Sequence, residues 1–188
     1  MLLALLRHGD TAWSAEGRIQ GRSDVPLSDA GRAALRGFQL PKICSDMSMV
    51  TSPLARCVET AALLGAPAAE REPRIAEMSW GDWEGRRLAD LRSELGTAMQ
   101  QNEARGWDFR PQGGESPREV LARVRSWLSG LEAATLAITH RGVIRAIFAA
   151  AVDWDLTGKP PTKLDWTAVQ LFRLGRDGTP TIEQLNLR

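Results

Sequence analysis

Leu2-Leu3-Ala4-Leu5-Leu6-Arg7-His8-Gly9 decides the reading of this chain. Its apolar run has no polar face, so it reads as a strand buried on both sides, the pattern of a parallel sheet covered by helices. The run ends abruptly in a cation, an imidazole and a glycine. A similar passage recurs at Leu136-Ala137-Ile138-Thr139-His140-Arg141-Gly142. His8 and His140 are the only two histidines in the chain, and each follows an apolar run beside an arginine and near a glycine. Imidazole changes charge near neutral pH and is a good nucleophile, so these two places are where chemistry is expected.

Working outward, helical and strand-like segments alternate. Residues 8–27 read as a long loop. Ser28 can cap a helix running to Phe38, and Ser48–Thr51 reads as a second strand. Ser52-Pro53 supplies an N-cap and a proline at the first helical position, predicting a helix to Leu64 that stops at Gly65. Glu77 to Gly85 is a loop rich in Trp and Gly, and a helix is predicted over Leu88–Leu95. The polar, glycine-containing stretch around residues 96–115 reads as a short lid. Ser116-Pro117-Arg118-Glu119 is a capping box whose helix should reach Leu128. Thr135–Thr139 is a third strand, followed by a helix over Val143–Val152. Ala168–Leu174 and Thr181–Leu187 read as strands joined by a turn at Gly175-Arg176-Asp177-Gly178. This alternation predicts an α/β fold with a mostly parallel sheet. No repeat or linker divides residues 1–188, so one domain is expected.

The composition is that of an ordinary soluble globular protein: 43% hydrophobic, 25% charged, net charge +1. So balanced a charge implies no bulk attraction to nucleic acid or to a membrane. Of 24 basic residues only Lys42, Lys159 and Lys163 are lysines, a bias that suits anionic ligands but that genome composition also explains. Cys44 and Cys57 form no CxxC pair, and a reduced, cytoplasmic setting is expected. Cys57 follows Arg56, which would lower its pKa, but a small core residue is the preferred reading. Met1–Leu6 is too short for a signal sequence, and no stretch approaches the ~20 apolar residues of a membrane span.

Ligands of open α/β sheets bind beyond the carboxyl ends of the strands. There the first strand delivers Arg7 and His8, the second Ser52 and Arg56, and the third His140. If these strands are neighbours, two imidazoles and two guanidiniums converge near a helix N-terminus, a setting for an anion. Such a group suits phosphoryl transfer: arginines bind phosphate oxygens, one imidazole attacks phosphorus and the other donates to the transferring group. Glu77, beside the Trp80-Gly81 turn, is the candidate acid for the departing alkoxide.

Several blocks then resemble the histidine phosphatase superfamily, in its phosphoglycerate-mutase-like branch. Arg7-His8-Gly9-Asp10-Thr11 resembles its RHG[E/Q]T signature. Gln20-Gly21 with Asp24-Val25-Pro26-Leu27-Ser28 and Gly31, Thr51-Ser52-Pro53-Leu54-Ala55-Arg56 with Thr60-Ala61, and Glu77 to Gly85 follow in the family's order. Gly113-Gly114-Glu115-Ser116 and Thr139-His140-Arg141-Gly142-Val143-Ile144-Arg145 complete it. The resemblance implies a three-layer α/β/α sandwich in which His8 accepts the phosphoryl group. Arg7, Arg56 and His140 would form the phosphate pocket, Ser14, Gln20 and Gly21 would join the phosphate-binding set, and Glu77 would donate the proton. Neither metal nor organic cofactor is implied. Three positions depart from the pattern: Asp10 stands for Glu or Gln, Ser14 for Asn, and Arg141 for Gly.

The expected activity is a phosphomonoesterase acting on a small phosphorylated metabolite. The branch includes broad phosphatases and α-ribazole phosphatases, and the chain is expected to be a monomer or homodimer. A cofactor-dependent phosphoglycerate mutase is the alternative enzyme. Its phosphoenzyme needs a closing lid, whereas the 62 residues between Glu77 and His140 must also hold two helices. That leaves about 20 for a lid, which favours hydrolysis. A non-catalytic phospholigand-binding module and a metal site of His8, His140 and Glu77 are the other readings. The first would be expected to have lost one of its catalytic positions, and the arginines disfavour the second.

Overall fold

A computed structural model describes residues 1–188. In chain order its strands are β1 (Leu2–Arg7), β2 (Ser48–Thr51), β3 (Glu70–Arg71), β4 (Thr135–Thr139), β5 (Val169–Leu174) and β6 (Pro180–Leu187). Its α-helices are α1 (Ala12–Ala15), α2 (Asp29–Arg36), α3 (Ala55–Leu63), α4 (Leu88–Glu103), α5 (Pro117–Leu128) and α6 (Arg141–Ala151). The strands form one sheet in the order β3-β2-β4-β1-β5-β6. The first four run parallel, while β5 pairs antiparallel with β1 and β6 antiparallel with β5. The sheet is therefore mixed; the turn after Leu174 is too short for a crossover, so β6 can only return antiparallel to β5.

The alternation of side chains along β1 separates two cores. Leu3 and Leu5 pack on one face with Val124 and Leu128 of α5 and Ile144 and Phe148 of α6. Ala4 and Leu6 pack on the other with Cys57 and Ala61 of α3. Both faces of the sheet are covered, so β1 and β4 tolerate no polar face, as their apolar sequences predict.

Several boundaries differ from the expectation. Helix α3 begins at Ala55 rather than Pro53, with Leu54 as the N-cap. Ser52 lies between β2 and α3, its amide donating to the Ile138 carbonyl of β4 at 2.9 Å. Helix α4 continues past Leu95 to Glu103 across a break at Gly96, where φ is +50°. The stretch read as a lid thus begins as a second helical piece, with Met99 buried against Trp83 and Leu91 in a small third cluster. Helix α1 lies inside the region read as loop, and β3 is an exposed two-residue strand with no periodicity to announce it. The capping box at Ser116 forms as read, with Ser116 Oγ accepting from the Glu119 amide and Glu119 from the Ser116 amide.

Helix α2 is docked on the turn that follows β1. A Cβ added to Gly31 would lie 2.1 Å from the Asp10 carbonyl oxygen, which also accepts from the Ser28 amide at 2.9 Å. In an open helix, replacing glycine by alanine gains up to ~1 kcal/mol. Here Gly31→Ala should instead cost about 1–3 kcal/mol by overpacking. Thermal melting of the variant will show a lower Tm; a rise would mean that α2 does not hold this turn.

Candidate active site

The parallel register sets the two histidines side by side. Arg7 is level with Thr139, so the residues that follow, His8 and His140, leave adjacent strands at the same edge of the sheet. Their ring centroids are 5.2 Å apart. Thr51 is level with Ile138, which brings Ser52 to the same edge from the other side of β4. Strands β1, β4 and β2 are thus neighbours, as convergence of their terminal residues requires.

His8 is held in one tautomer. Its Nδ1 lies 2.7 Å from the Gly9 carbonyl, which can only accept, so Nδ1 carries the proton and Nε2 keeps its lone pair. Gly9 is itself anchored, its amide donating to Thr60 Oγ1 of α3 at 3.0 Å. Burial, and then the charges of Arg7 and Arg56, hold the His8 pKa well below the ordinary histidine value. His140 is fully buried, and its Nε2 shares a 2.7 Å hydrogen bond with Ser52 Oγ. Its pKa is also well below the ordinary value, through burial first and then the charge on His8. Both rings are therefore neutral at neutral pH.

Arg56 enters from α3 and is completely buried. Its Nη1 donates to the Ser23 carbonyl at 2.9 Å and its Nη2 to the Gly21 carbonyl at 2.8 Å. Arg7 has only a long contact, 3.3 Å, from Nη1 to Asp10 Oδ1. The Nε atoms of Arg7 and Arg56 are the two buried side-chain polar atoms that lack a hydrogen-bond partner. Unsatisfied buried donors are costly, and two charged ones near one imidazole fit an incoming anion. Arg141, standing where glycine was expected, lays its guanidinium over the Trp166 ring at 4.6 Å, and its charge also opposes protonation of His8.

Glu77 is 9% exposed. Its Oε1 accepts from the Met78 amide at 2.8 Å and from the Gly142 amide at 3.0 Å. Burial raises its pKa, against the opposing pull of these amides and of Arg56 and Arg123. It is thus a carboxyl biased toward its protonated form, facing the N-terminus of α6.

The remaining predicted residues occupy different places. Gly21 serves through Arg56, whose Nη2 it accepts. It has φ +52°, and a Cβ there would fall 2.0 Å from Glu84 Oε1. Gln20 Oε1 accepts from Thr11 Oγ1 at 2.9 Å. Ser14 is committed to capping α1: its Oγ accepts from the Thr11 amide at 2.9 Å and lies 3.1 Å from Asp10 Oδ1. The N-terminus of α3 is also taken, since Asp24 Oδ1 accepts from the Ala55 amide at 2.7 Å. Cys57 is a core residue. Burial drives its thiol pKa far up, against the opposing pull of Arg56, and Sγ lies 3.4 Å from His140 Nε2.

Two contacts escaped the sequence reading, and a third, that of Glu84 in the Trp83-Glu84-Gly85 turn, was read only as a structural one. Ser52 was placed at the site but not paired with His140. Arg123 of α5 donates to the Glu77 carbonyl at 3.2 Å and pairs with Glu115 at 3.0 Å; in the sequence it is one charge on an amphipathic helix. Glu84 organises the loop that holds Arg56. Its Oε1 accepts from the Arg22 amide and its Oε2 from the Ser23 amide, both at 2.8 Å, with Ser23 Oγ at 2.6 Å.

The sequence profile of the histidine phosphatase superfamily (branch 1) matches residues 3–188. The chain belongs to that superfamily. It is 30% identical over 186 residues to phosphoglycerate mutase-like protein 4 of Arabidopsis thaliana, covering 92% of this chain and 79% of the relative. It is 29% identical over 176 residues to a glucosyl-3-phosphoglycerate phosphatase of Mycobacterium tuberculosis, covering 84% and 78% respectively. Among solved structures it superposes on the protein TTHB049 from Thermus thermophilus with a TM-score of 0.77, at 28% identity and over 100% of both chains. Members of the superfamily are phosphatases or mutases, which supports a phosphatase-type enzyme.

Glu84→Gln preserves shape but sets an amide NH2 against the Arg22 or Ser23 backbone donors. Urea unfolding should register a loss of about 1–3 kcal/mol. An unchanged midpoint would remove Glu84 from the support of the Arg56 loop.

Proposed function

We propose that the protein is a metal-independent phosphomonoesterase that works through a phosphohistidine on His8, with a small phosphorylated metabolite as substrate. One observation carries this reading: a neutral His8, with its lone pair on Nε2, is buried beside two guanidiniums whose Nε donors are unsatisfied.

In the first step His8 Nε2 attacks phosphorus and the ester P–O bond breaks. Arg7 and Arg56 take the equatorial oxygens, and His140 donates to one of them. The neutral Glu77 carboxyl gives its proton to the leaving alkoxide. In the second step water attacks phosphorus and passes a proton to the Glu77 carboxylate. The P–N bond breaks, and inorganic phosphate leaves with His8 and Glu77 restored. All proton transfers use this chain's own groups, so a chelator should leave turnover intact. The buried free thiols of Cys44 and Cys57 suit a reducing, cytoplasmic setting. No helix is long and apolar enough to cross a membrane.

Rapid alkaline quenching during turnover of 4-nitrophenyl phosphate with chelator present should trap an acid-labile adduct on His8. The adduct and turnover should both be lost in His8→Ala; a fully active variant would sink the mechanism. Glu77→Gln should lose roughly 100-fold or more on alkyl esters, the usual scale of general acid catalysis, and much less on the nitrophenyl ester. Equal losses on both would mean that Glu77 is not the acid. Efficient formation of 2-phosphoglycerate from 3-phosphoglycerate and a bisphosphate activator would transfer the assignment to a mutase.

The pH profile of kcat/KM follows from the two shifted groups. The reactive form has neutral His8 and protonated Glu77. Activity falls at low pH as His8 gains a proton, which its depressed pKa delays. It falls at higher pH as Glu77 ionises, which its raised pKa postpones. After correction for substrate ionisation, the optimum should lie on the acid side of neutrality. The alkaline limb should vanish in Glu77→Gln; its persistence would assign that limb to another group.

A further inference from the structure

Beyond Glu77 lies a cavity of about 350 Å3 that the phosphate chemistry does not use. It lies next to the acid, because Met78 and Gly142, whose amides bind the Glu77 carboxylate, both line it. Its walls are mainly Trp80, Leu88, Phe109, Ala146 and Leu156. Trp80 and Phe109 meet edge to face at 5.6 Å, giving one side a fixed aromatic surface. At ~30 Å3 per water, the space would hold about a dozen waters. A three-carbon alcohol would leave most of that apolar wall wet.

The charged groups of the cavity differ in how they are balanced. Arg92 is neutralised by Glu103, with its Nη2 at 2.7 Å from Oε1. Arg145 forms no ion pair; its guanidinium is steadied over the Trp154 ring at 4.8 Å. It rises from α6 one residue before Ala146, so its charge is the unbalanced one at this cavity. A sugar would need several hydrogen-bonding partners along its length, whereas apart from the Arg92–Glu103 pair and Arg145 these walls supply mainly carbon.

We propose that this cavity seats the alcohol half of the substrate, and that the natural substrate is the phosphomonoester of a bulky, largely apolar alcohol carrying an anionic group that Arg145 meets. The inference rests on the phosphomonoesterase reading, since it places the leaving oxygen at Glu77 and the rest of the alcohol beyond it. Apolar area removed from water then supplies selectivity, and the second anion sets the orientation.

Non-hydrolysable phosphonates test the cavity without turnover. Calorimetry should find 3-phenylpropylphosphonate bound at least ~10-fold more tightly than methylphosphonate, from the apolar area it buries. The 4-carboxyphenyl analogue should gain a further several-fold. Leu88→Trp, which fills the cavity, should abolish the first gain. Arg145→Gln, at an exposed position, should abolish only the second. Equal binding of all three probes by the unaltered protein overturns the proposal, and so does a filled-cavity variant that keeps the preference. Survival of the carboxylate gain in Arg145→Gln overturns the role of Arg145.

Hydrolysis separates this proposal from the one beneath it. Turnover of 4-nitrophenyl phosphate, with 3-phenylpropyl phosphate no better than glycerol phosphate or glucose 6-phosphate, would refute the substrate class alone. Absence of turnover on every ester would refute the phosphatase reading, and the substrate class with it.

Discussion

Arg56 is a charge buried in the protein with two backbone carbonyls and no carboxylate at its guanidinium. Effective burial of one ion costs several kcal/mol, so the surrounding structure must be organised to tolerate it. Much of the site follows from that demand. The Gly21 and Ser23 carbonyls turn toward the guanidinium because Glu84 grips the amides of Arg22 and Ser23 from the other side. Gly21 can approach Glu84 because it has no Cβ. The same helix positions Thr60, which anchors Gly9 and through it His8. The guanidinium still has an unsatisfied Nε, so its compensation is incomplete until an anion arrives.

The field of these arginines reaches the titrating groups with opposite consequences. For His8 it adds to burial and favours the neutral imidazole. For Glu77 it opposes burial, but burial prevails and the carboxyl is biased toward its acid form. Burial and the arginine field thus favour the uncharged form of His8, and burial favours the uncharged form of Glu77. His140, buried beside His8 and the Ser52 hydroxyl, has a depressed pKa of its own.

Much of the fold was legible because its signals are local. The apolar runs of β1 and β4, the Ser116 capping box and the glycine stop after α3 each follow from a few adjacent residues. The misreadings occurred where a distant partner overrode a local preference. Ser52-Pro53 has the sequence of a helix start, yet the helix begins only at Ala55 because Ile138 of β4 and His140 hold Ser52 beside the strand end. Gly96 looks like a helix end, yet the chain resumes its helix because Met99 has Trp83 and Leu91 to pack against.

The amino-acid sequence by itself determined the layered α/β class and the ends of the central strands, because burial on both faces leaves an apolar run that can be read directly. It also singled out His8, His140, Arg7, Arg56 and Glu77 as the candidate positions for chemistry. Only the tertiary structure decided how they meet. The register of β1 against β4 brings the two imidazoles to 5.2 Å, and the mixed sheet places β5 antiparallel beside β1. The carbonyl seat of Arg56, the amides on Glu77 and the apolar cavity beyond it also depend on contacts between segments far apart in the chain. Such contacts leave no periodicity, because each is one residue meeting another across the fold rather than a pattern repeated along it.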